Sequence, residues 1–234
     1  MIDAIAVFAR APVPGQVKTR LAQAMGDEAA AALAGAMLCD TLALARQAAR
    51  QQSNCDVVLI YTPVDGFAAG VYSLAPFWAG PRLAQCDGDL GERLLDCVAR
   101  LHEQGRERVV IIGADSPDLP PHWICHAFSI LSRKALVCGP ARDGGFYLLG
   151  TTGEIPRELF NGVVWSARST LSQLQANAAR LQLSVAAAPQ WDDVDTIYDL
   201  RRLARRLTHD PRRTLTCAPH TARWLRAYDL AQDI

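Results

Sequence analysis

The sequence predicts an α/β protein in which helices cover both faces of a mostly parallel, doubly wound sheet, a three-layer α/β/α arrangement. Short runs rich in apolar and β-branched residues alternate with helical stretches along the chain. This alternation is typical of βαβ units, in which a helix joins two parallel strands. The run at 108–113 reads R-V-V-I-I-G and is apolar on both faces, as in a strand at the centre of a parallel sheet.

The individual elements follow from hydrophobic period and from the placement of proline and glycine. Strands are predicted at 2–8, 57–61, 82–85, 108–113, 135–139, 146–150 and 183–187. Helices are predicted at 27–52, 90–104, 120–131, 166–181 and 196–207, with one more near 221–231. Residues 63–81 have no clear period, and a short helix and a loop are expected there. With no linker or repeat in the sequence, we expect one domain over 1–234, in which residues after about 208 form a C-terminal helical extension.

The composition excludes several function classes. The chain has 24 basic and 24 acidic residues, so no overall field attracts nucleic acid or an anionic membrane. Seven cysteines without a C-x-x-C pair are typical of a reduced, cytoplasmic protein. Runs of about 18–20 apolar residues, the length of a membrane helix, are not expected in this sequence. Any anion site must therefore be built locally from a few placed groups.

A basic turn follows the first predicted strand. Its sequence P-G-Q-V-K-T-R contains Gly15, Lys18, Thr19 and Arg20. Glycine allows close approach of the backbone to a ligand, and the two cations and the hydroxyl suit a phosphate group. A Walker A loop is excluded, because the positions six and one before the lysine hold proline and valine instead of glycine. The alternative is a basic surface loop.

Carboxylates follow two other predicted elements. Asp115 comes directly after the 108–113 strand, and Asp193 lies in W-D-D-V-D-T before a helix. These two are candidate ligands of a divalent cation that also binds ligand phosphates; the alternative for Asp115 is to cap a turn. Asp118 precedes a helix, so it is expected to be an N-cap. Thr196 and Asp199 match a capping box.

Three further segments allow both a structural and a functional interpretation. The loop P-A-R-D-G-G at 140–145 fits a hairpin turn, or a functional loop that places Asp143 near a reacting group. The segment D-G-D-L-G-E-R at 87–93 fits a turn and a helix start, or places Gly91 and Arg93 beside a nucleotide. The arginines between 201 and 213 are expected to form mostly a solvated helix face.

Six motifs, in this order, resemble one known family over about residues 4–203. They are A-P-V-P-G-Q-V-K-T-R-L, D-G-D-L-G-E-R, G-A-D-S-P-D-L-P, G-P-A-R-D-G-G-F-Y-L-L-G, V-W-S and D-V-D-T-I-Y-D-L. The chain resembles small bacterial GT-A-type glycosyltransferases assigned to arsenosugar biosynthesis. That family is similar to the guanylyltransferases of molybdenum-cofactor and phospholactate chemistry. One departure is W-S-A-R at 165–168, where relatives commonly continue W-S-T, so a hydroxyl role at position 167 is not expected.

The resemblance implies a nucleotide-diphospho-sugar transferase fold and a set of site residues. It places the nucleotide at Ala9, Arg10, Gly15, Lys18, Thr19, Arg20, Gly91, Arg93 and Asp115. It places the acceptor at Asp143, Gly144, Gly145 and Trp165. It implies Mg²⁺ or Mn²⁺ on Asp115 and Asp193, with Lys18, Arg20 and Asp143 as the catalytic residues.

Three functions are compatible with this pattern. The first is transfer of a sugar from a nucleoside-diphosphate sugar to a small-molecule acceptor, assisted by a metal ion. The second is nucleotidyl transfer from a nucleoside triphosphate to a phosphorylated small molecule, with release of pyrophosphate. The third is nucleotide binding without turnover.

Overall fold

One twisted sheet lies at the centre of the computed structural model, which describes residues 2–62, 77–209 and 217–228. Within these residues the strands are β1 (Ile2–Arg10), β2 (Cys55–Thr62), β3 (Arg82–Ala84), β4 (Arg106–Gly113), β5 (Leu136–Pro140), β6 (Phe146–Thr152) and β7 (Val185–Ala187). Their order is β3-β2-β1-β4-β6-β5-β7. Strand β6 runs antiparallel to β4 and β5, and the other pairs are parallel. The predicted fold class is confirmed.

Helices connect the strands and cover the sheet. They are α1 (Thr19–Met25), α2 (Asp27–Ala49), α3 (Leu90–Glu103), α4 (Pro121–Leu131), α5 (Thr170–Arg180), α6 (Ile197–His209) and α7 (Pro219–Ala227), with a 3₁₀ turn at Arg157–Phe160. Helix α1 was not predicted, and α5 begins four residues later than expected. The short helix and loop expected within 63–81 lie outside the described residues at 63–76, as does the end of the predicted C-terminal helix.

The alternating direction of the side chains along β1 divides the core between the two faces of the sheet. Ile5 is buried in one cluster with Phe128 of α4, and Ala6 is buried in another with Leu94 of α3. Successive side chains of a strand point to opposite faces, so a continuous apolar run such as β1 has to be covered on both sides. The helices on the two faces do this, which gives the three layers.

Helix α2 is the most apolar long helix in the described residues. By length and composition alone it is long and apolar enough to cross a membrane, yet 67% of its most apolar window is buried inside the protein. Its buried Asp40 accepts hydrogen bonds from the backbone N–H of His220 (3.1 Å) and Thr221 (2.7 Å). These donors lie in the first turn of α7, where backbone N–H groups lack partners within the helix. The Asp40 side chain of α2 therefore caps α7 and attaches this helix to the core.

We expect two cysteines to resist alkylation in the folded protein. Cys97 and Cys138 are buried, and burial raises the pKa of the Cys138 thiol to about 12 and that of Cys97 further still. Because only the thiolate reacts, each pKa unit lowers the rate about tenfold. With iodoacetamide at pH 8, peptide mapping should show both reacting at least about tenfold more slowly than Cys86, which is partly exposed. Equal rates in the native protein would contradict this, and denaturant should remove the difference.

Candidate functional site

A cavity of about 620 Å³ opens where the carboxyl ends of β1 and β4 meet. Ala9 and Arg10 end β1, and the segment from Gly113 to Asp115 ends β4; both line the cavity. From β1, the chain adds β2 and β3 on one side of the sheet and then β4 on the other. In doubly wound sheets, ligands bind at such a switch point, in the crevice beyond the strand ends.

The basic turn after β1 brings Lys18 into this cavity. Lys18 adopts a left-handed backbone conformation (φ 49°, ψ 43°) directly before α1. That conformation is uncommon for a residue with a side chain and is often found at functional sites. The Lys18 side chain is only 6% exposed, although it carries a charge.

Three oxygen atoms surround the Lys18 ammonium group. Its Nζ lies 2.6 Å from Asp115 Oδ1 and 2.8 Å from Asp195 Oδ1. It also donates to the backbone carbonyl of Val194 at 2.7 Å. An ammonium group has three N–H donors, so these three oxygens occupy all of them. Lys18 therefore joins the end of β4 to the segment that precedes α6.

The charges of this cluster stabilise one another. Burial alone would lower the pKa of Lys18, but Asp115 and Asp195 outweigh burial and the net pKa is raised above its ordinary value. The charge of Lys18 is in turn the main reason why the pKa of Asp195 is lowered, although burial opposes it. Lys18 is thus a buried cation and Asp195 a carboxylate at neutral pH.

Asp195 is the site residue that the sequence interpretation missed. It lies in the segment 191–195, whose Val194 is buried and donates its N–H to the carbonyl of Asp115 at 3.0 Å. Asp193 and Asp195, on either side of it, are only partly buried, so acidic and apolar residues alternate around the buried Val194. The pattern D-V-D was the available signal, because an apolar residue between two acids indicates this alternation.

Asp193 lies within the same group of carboxylates. Burial raises its pKa to about 6, and the negative charges of Asp195, Asp143 and Asp115 add to this effect. Asp193 does not line the cavity itself, whereas Asp195 does. The carboxylate that directly faces Asp115 across the Lys18 ammonium is therefore Asp195.

Eight of the predicted site residues line the cavity. They are Ala9, Arg10, Lys18, Thr19, Arg20, Arg93, Asp115 and Trp165. The predicted residues that do not line it are Gly15, Gly91, Asp143, Gly144, Gly145 and Asp193. Most of the residues predicted to bind the nucleotide therefore line the cavity. Of the residues predicted to bind the acceptor, only Trp165 does.

Gly91 contributes to the cavity through the position of Trp165. A Cβ atom on Gly91 would lie 2.9 Å from the Trp165 ring and 3.0 Å from Phe160 Cβ, so only glycine lets the ring lie this close to α3. The Trp165 ring N–H donates to Asp89 Oδ2 at 3.1 Å. Asp89 in turn caps α3 in a capping box with Glu92, as the predicted turn and helix start require.

The loop at 140–145 forms the hairpin turn between the antiparallel strands β5 and β6. Asp143 is exposed and accepts a 2.8 Å hydrogen bond from the N–H of Gly145. Gly144 has φ 93°, and a Cβ there would collide with the backbone of Arg168. The hairpin thus packs against the segment that brings Ser166 to the cavity.

Near α6, the prediction for Asp118 is wrong and the prediction for the arginines holds only in part. Asp118 does not cap α4, which begins after Pro120; instead its fully buried carboxylate accepts hydrogen bonds from Arg206 Nε (2.8 Å) and Nη2 (3.2 Å). Arg206 also pairs with Asp192 at 3.0 Å, and Arg202 pairs with the same carboxylate. Arg202 and Arg206 therefore depart from the predicted solvated face, because buried carboxylates require cations. Arg205 is exposed as predicted, and Arg212 and Arg213 lie outside the described residues. The capping box of Thr196 and Asp199 is confirmed by reciprocal side-chain to backbone hydrogen bonds.

A comparison with family models identifies the chain. The model of the family described as "Uncharacterized protein conserved in bacteria (DUF2064)" matches residues 41–167, more than half of the sequence. The chain belongs to this family. No protein with a curated function matches the sequence of this DUF2064 member.

The DUF2064 chain is similar to several solved structures. One, from Desulfovibrio desulfuricans G20, is 30% identical, with a TM-score of 0.83 and coverage of 100% of this chain and 99% of the other; its assignment as a nucleotide-diphospho-sugar transferase is provisional. A CMP:2-keto-3-deoxy-manno-octonic acid synthetase complexed with CTP has a TM-score of 0.55 at 11% identity, covering 89% and 99% of the two chains. A cytidylyltransferase from Leptospira borgpetersenii has a TM-score of 0.55 at 16% identity, covering 90% and 88%. The last two show a shared fold.

Two carboxylates, Asp115 and Asp195, are the residues of the DUF2064 site that could hold a divalent cation. Within the described residues, no group of three or more His, Cys, Asp or Glu side chains is arranged to hold a metal ion. Asp115 and Asp195 nevertheless direct one oxygen each toward a common point, where the Lys18 ammonium lies. Mg²⁺ typically takes one or two carboxylates and completes its coordination with phosphate oxygens and water. The two carboxylates fit this requirement.

Proposed function

We propose that this protein is a metal-assisted glycosyltransferase that moves a sugar from a nucleoside-diphosphate sugar to a small-molecule acceptor. The proposal is based on one observation: Lys18, from the basic turn, forms ion pairs with Asp115 and Asp195 in the cavity at the β1–β4 switch point. The provisional assignment of the D. desulfuricans relative supports the same donor class. The finer assignment to arsenosugar biosynthesis stays a prediction.

The charges that line the cavity suit a nucleoside diphosphate. Among the described residues, the cationic side chains on the wall are Arg10, Lys18, Arg20 and Arg93, and the carboxylates are Asp89, Asp115 and Asp195. Arg93 Nε is buried without a hydrogen-bond partner in the described structure. A buried donor without a partner is costly, and an anionic or polar ligand in the cavity would satisfy it.

The proposed reaction breaks the bond between the sugar and the diphosphate, so negative charge develops on the leaving oxygens. Arg10 and Arg20 are the residues that we assign to stabilise this charge, and each unit charge at about 4 Å contributes roughly 4 kcal/mol at an effective dielectric of 20. Asp115 and Asp195 would hold Mg²⁺ or Mn²⁺, which acts as a Lewis acid on the phosphate oxygens when bound. Asp143, which lies outside the cavity wall, stays only a prediction as the base for the acceptor hydroxyl.

Nucleotidyl transfer is the second candidate. The cationic surplus on the cavity wall, together with a divalent cation, also suits the higher charge of a triphosphate. In this reaction the same groups would stabilise departing pyrophosphate. The two candidates differ in the ligand that binds and in the product that leaves.

Thermal-shift measurements should separate these functions. At about 100 times its Kd a ligand stabilises the folded state by about 2.7 kcal/mol, which raises the melting temperature of a chain of this size by about 5–10 °C. We expect this shift with nucleoside-diphosphate sugars and Mg²⁺ or Mn²⁺. A shift with triphosphates alone, together with pyrophosphate release, would favour nucleotidyl transfer. Binding without turnover of either ligand would indicate a nucleotide-binding protein, and no shift with either would contradict the site.

A further inference from the structure

The Lys18 ammonium occupies the point where a divalent cation would bind. Its Nζ lies 2.6 Å from Asp115 and 2.8 Å from Asp195, and it also donates to Val194 at 2.7 Å. With its three donors occupied, Lys18 has none left for a phosphate group in this arrangement. The prediction that Lys18 grips phosphate and the prediction that Asp115 binds a metal therefore describe two different arrangements of the same side chains.

We propose that Lys18 is the resident cation of Asp115 and Asp195, and that a divalent cation binds by displacing its ammonium group. Mg²⁺ binds oxygen ligands at about 2.0–2.1 Å, so an ion bonded to both Asp115 Oδ1 and Asp195 Oδ1 would lie at the point that the ammonium nitrogen now occupies. Two cations at one point would also repel each other strongly at this burial, since Lys18 is 6% exposed. Binding of the metal ion therefore requires the lysine to move.

The displaced side chain has a place to go. Lys18 lines the cavity beside Arg20 and Arg10, so rotation of its four-carbon chain carries the ammonium into the space that we assign to phosphate. This last step rests on the proposed function, whereas the exchange itself does not. The exchange couples the two ligands: phosphate favours the displaced lysine, the displaced lysine frees the carboxylates, and each ligand therefore strengthens binding of the other.

The test is Mn²⁺ binding to the full chain without nucleotide, measured by isothermal titration calorimetry. Removing the competing cation in Lys18→Met should raise Mn²⁺ affinity about tenfold or more, within the range of coupled sites. Lys18→Gln, which keeps a polar donor for Val194, should do the same if the methionine variant folds poorly. The matched control is Lys134→Met, since Lys134 is exposed and does not line the cavity; it should change the affinity less than about threefold, as screened surface charges do.

The outcomes distinguish this inference from the proposed function. Unchanged or weaker Mn²⁺ binding in both Lys18 variants, with their melting profiles still cooperative, would overturn the exchange. That result together with a metal-dependent shift by a nucleoside-diphosphate sugar in the natural protein would leave the proposed function intact. Tighter Mn²⁺ binding in the variants, with no nucleotide bound by the natural protein, would support the exchange and contradict the proposed function.

Discussion

Replacing Asp115 with asparagine is expected to abolish the part of nucleotide-dependent stabilisation that requires Mg²⁺ or Mn²⁺. Asparagine keeps the size of the side chain but removes the negative charge that directs an oxygen toward the metal position. If the protein turns over a nucleoside-diphosphate sugar, the rate should fall about 10²–10³-fold, the typical loss when one electrostatic group at a reacting centre is removed. Thermal shift with and without the metal ion, and product formation, are the measurements.

The fold itself should tolerate Asp115→Asn. Lys18 keeps its contacts with Asp195 and with the Val194 carbonyl, so the cation stays paired. Asp96→Asn is the matched control, because Asp96 pairs with Arg100 on α3 and lies outside the cavity wall. A metal-dependent shift that stays as large in Asp115→Asn as in the control would remove Asp115 from the site.

Replacing Arg206 with methionine is expected to lower the free energy of unfolding by about 3 kcal/mol, the low end of the range for breaking a buried ion pair. Asp118 is fully buried and Arg206 supplies two hydrogen bonds to its carboxylate. Methionine keeps much of the apolar length of arginine but leaves the Asp118 charge without this cation. Urea denaturation at pH 7 measures the effect from the shift of the transition midpoint.

Arg205→Met is the matched control for this substitution. Arg205 is the neighbouring residue on α6 and is exposed, so its replacement should change the free energy of unfolding by less than about 0.5 kcal/mol. Equal effects of the two substitutions would show that Arg206 acts as an ordinary surface residue. Because Arg206 also pairs with Asp192, the substitution should also loosen the segment that carries Asp193 and Asp195.

The strands and most helices were predictable because their signals are local. The apolar run of β4 and the helical spacing of α3 need only neighbouring residues to be recognised. Helix α1 was missed because it is short and follows a turn rich in proline and glycine. Lys18, the residue directly before α1, has a left-handed backbone conformation that the sequence does not predict, since glycine is the residue that usually adopts it.

The site was predictable in part for the same reason. Position after a predicted strand selected Lys18 and Asp115 before any distance was known, and the family resemblance added Arg10. It did not select Asp195 over Asp193, because both follow the same strand by a few residues. Asp195 is the one that lines the cavity, where it pairs with Lys18 from the other end of the chain.

The sequence by itself determined the α/β architecture, the apolar strands and the groups of charge at their ends, because hydrophobic period and strand-end position are properties of neighbouring residues. Only the tertiary structure decided which charges meet. Lys18 and Asp195 are 177 positions apart and yet 2.8 Å apart in space, and Asp118 and Arg206 are separated by 88 positions. An ion pair depends on distance in space, and distance in space between remote residues follows from the packing of the whole sheet and its helices.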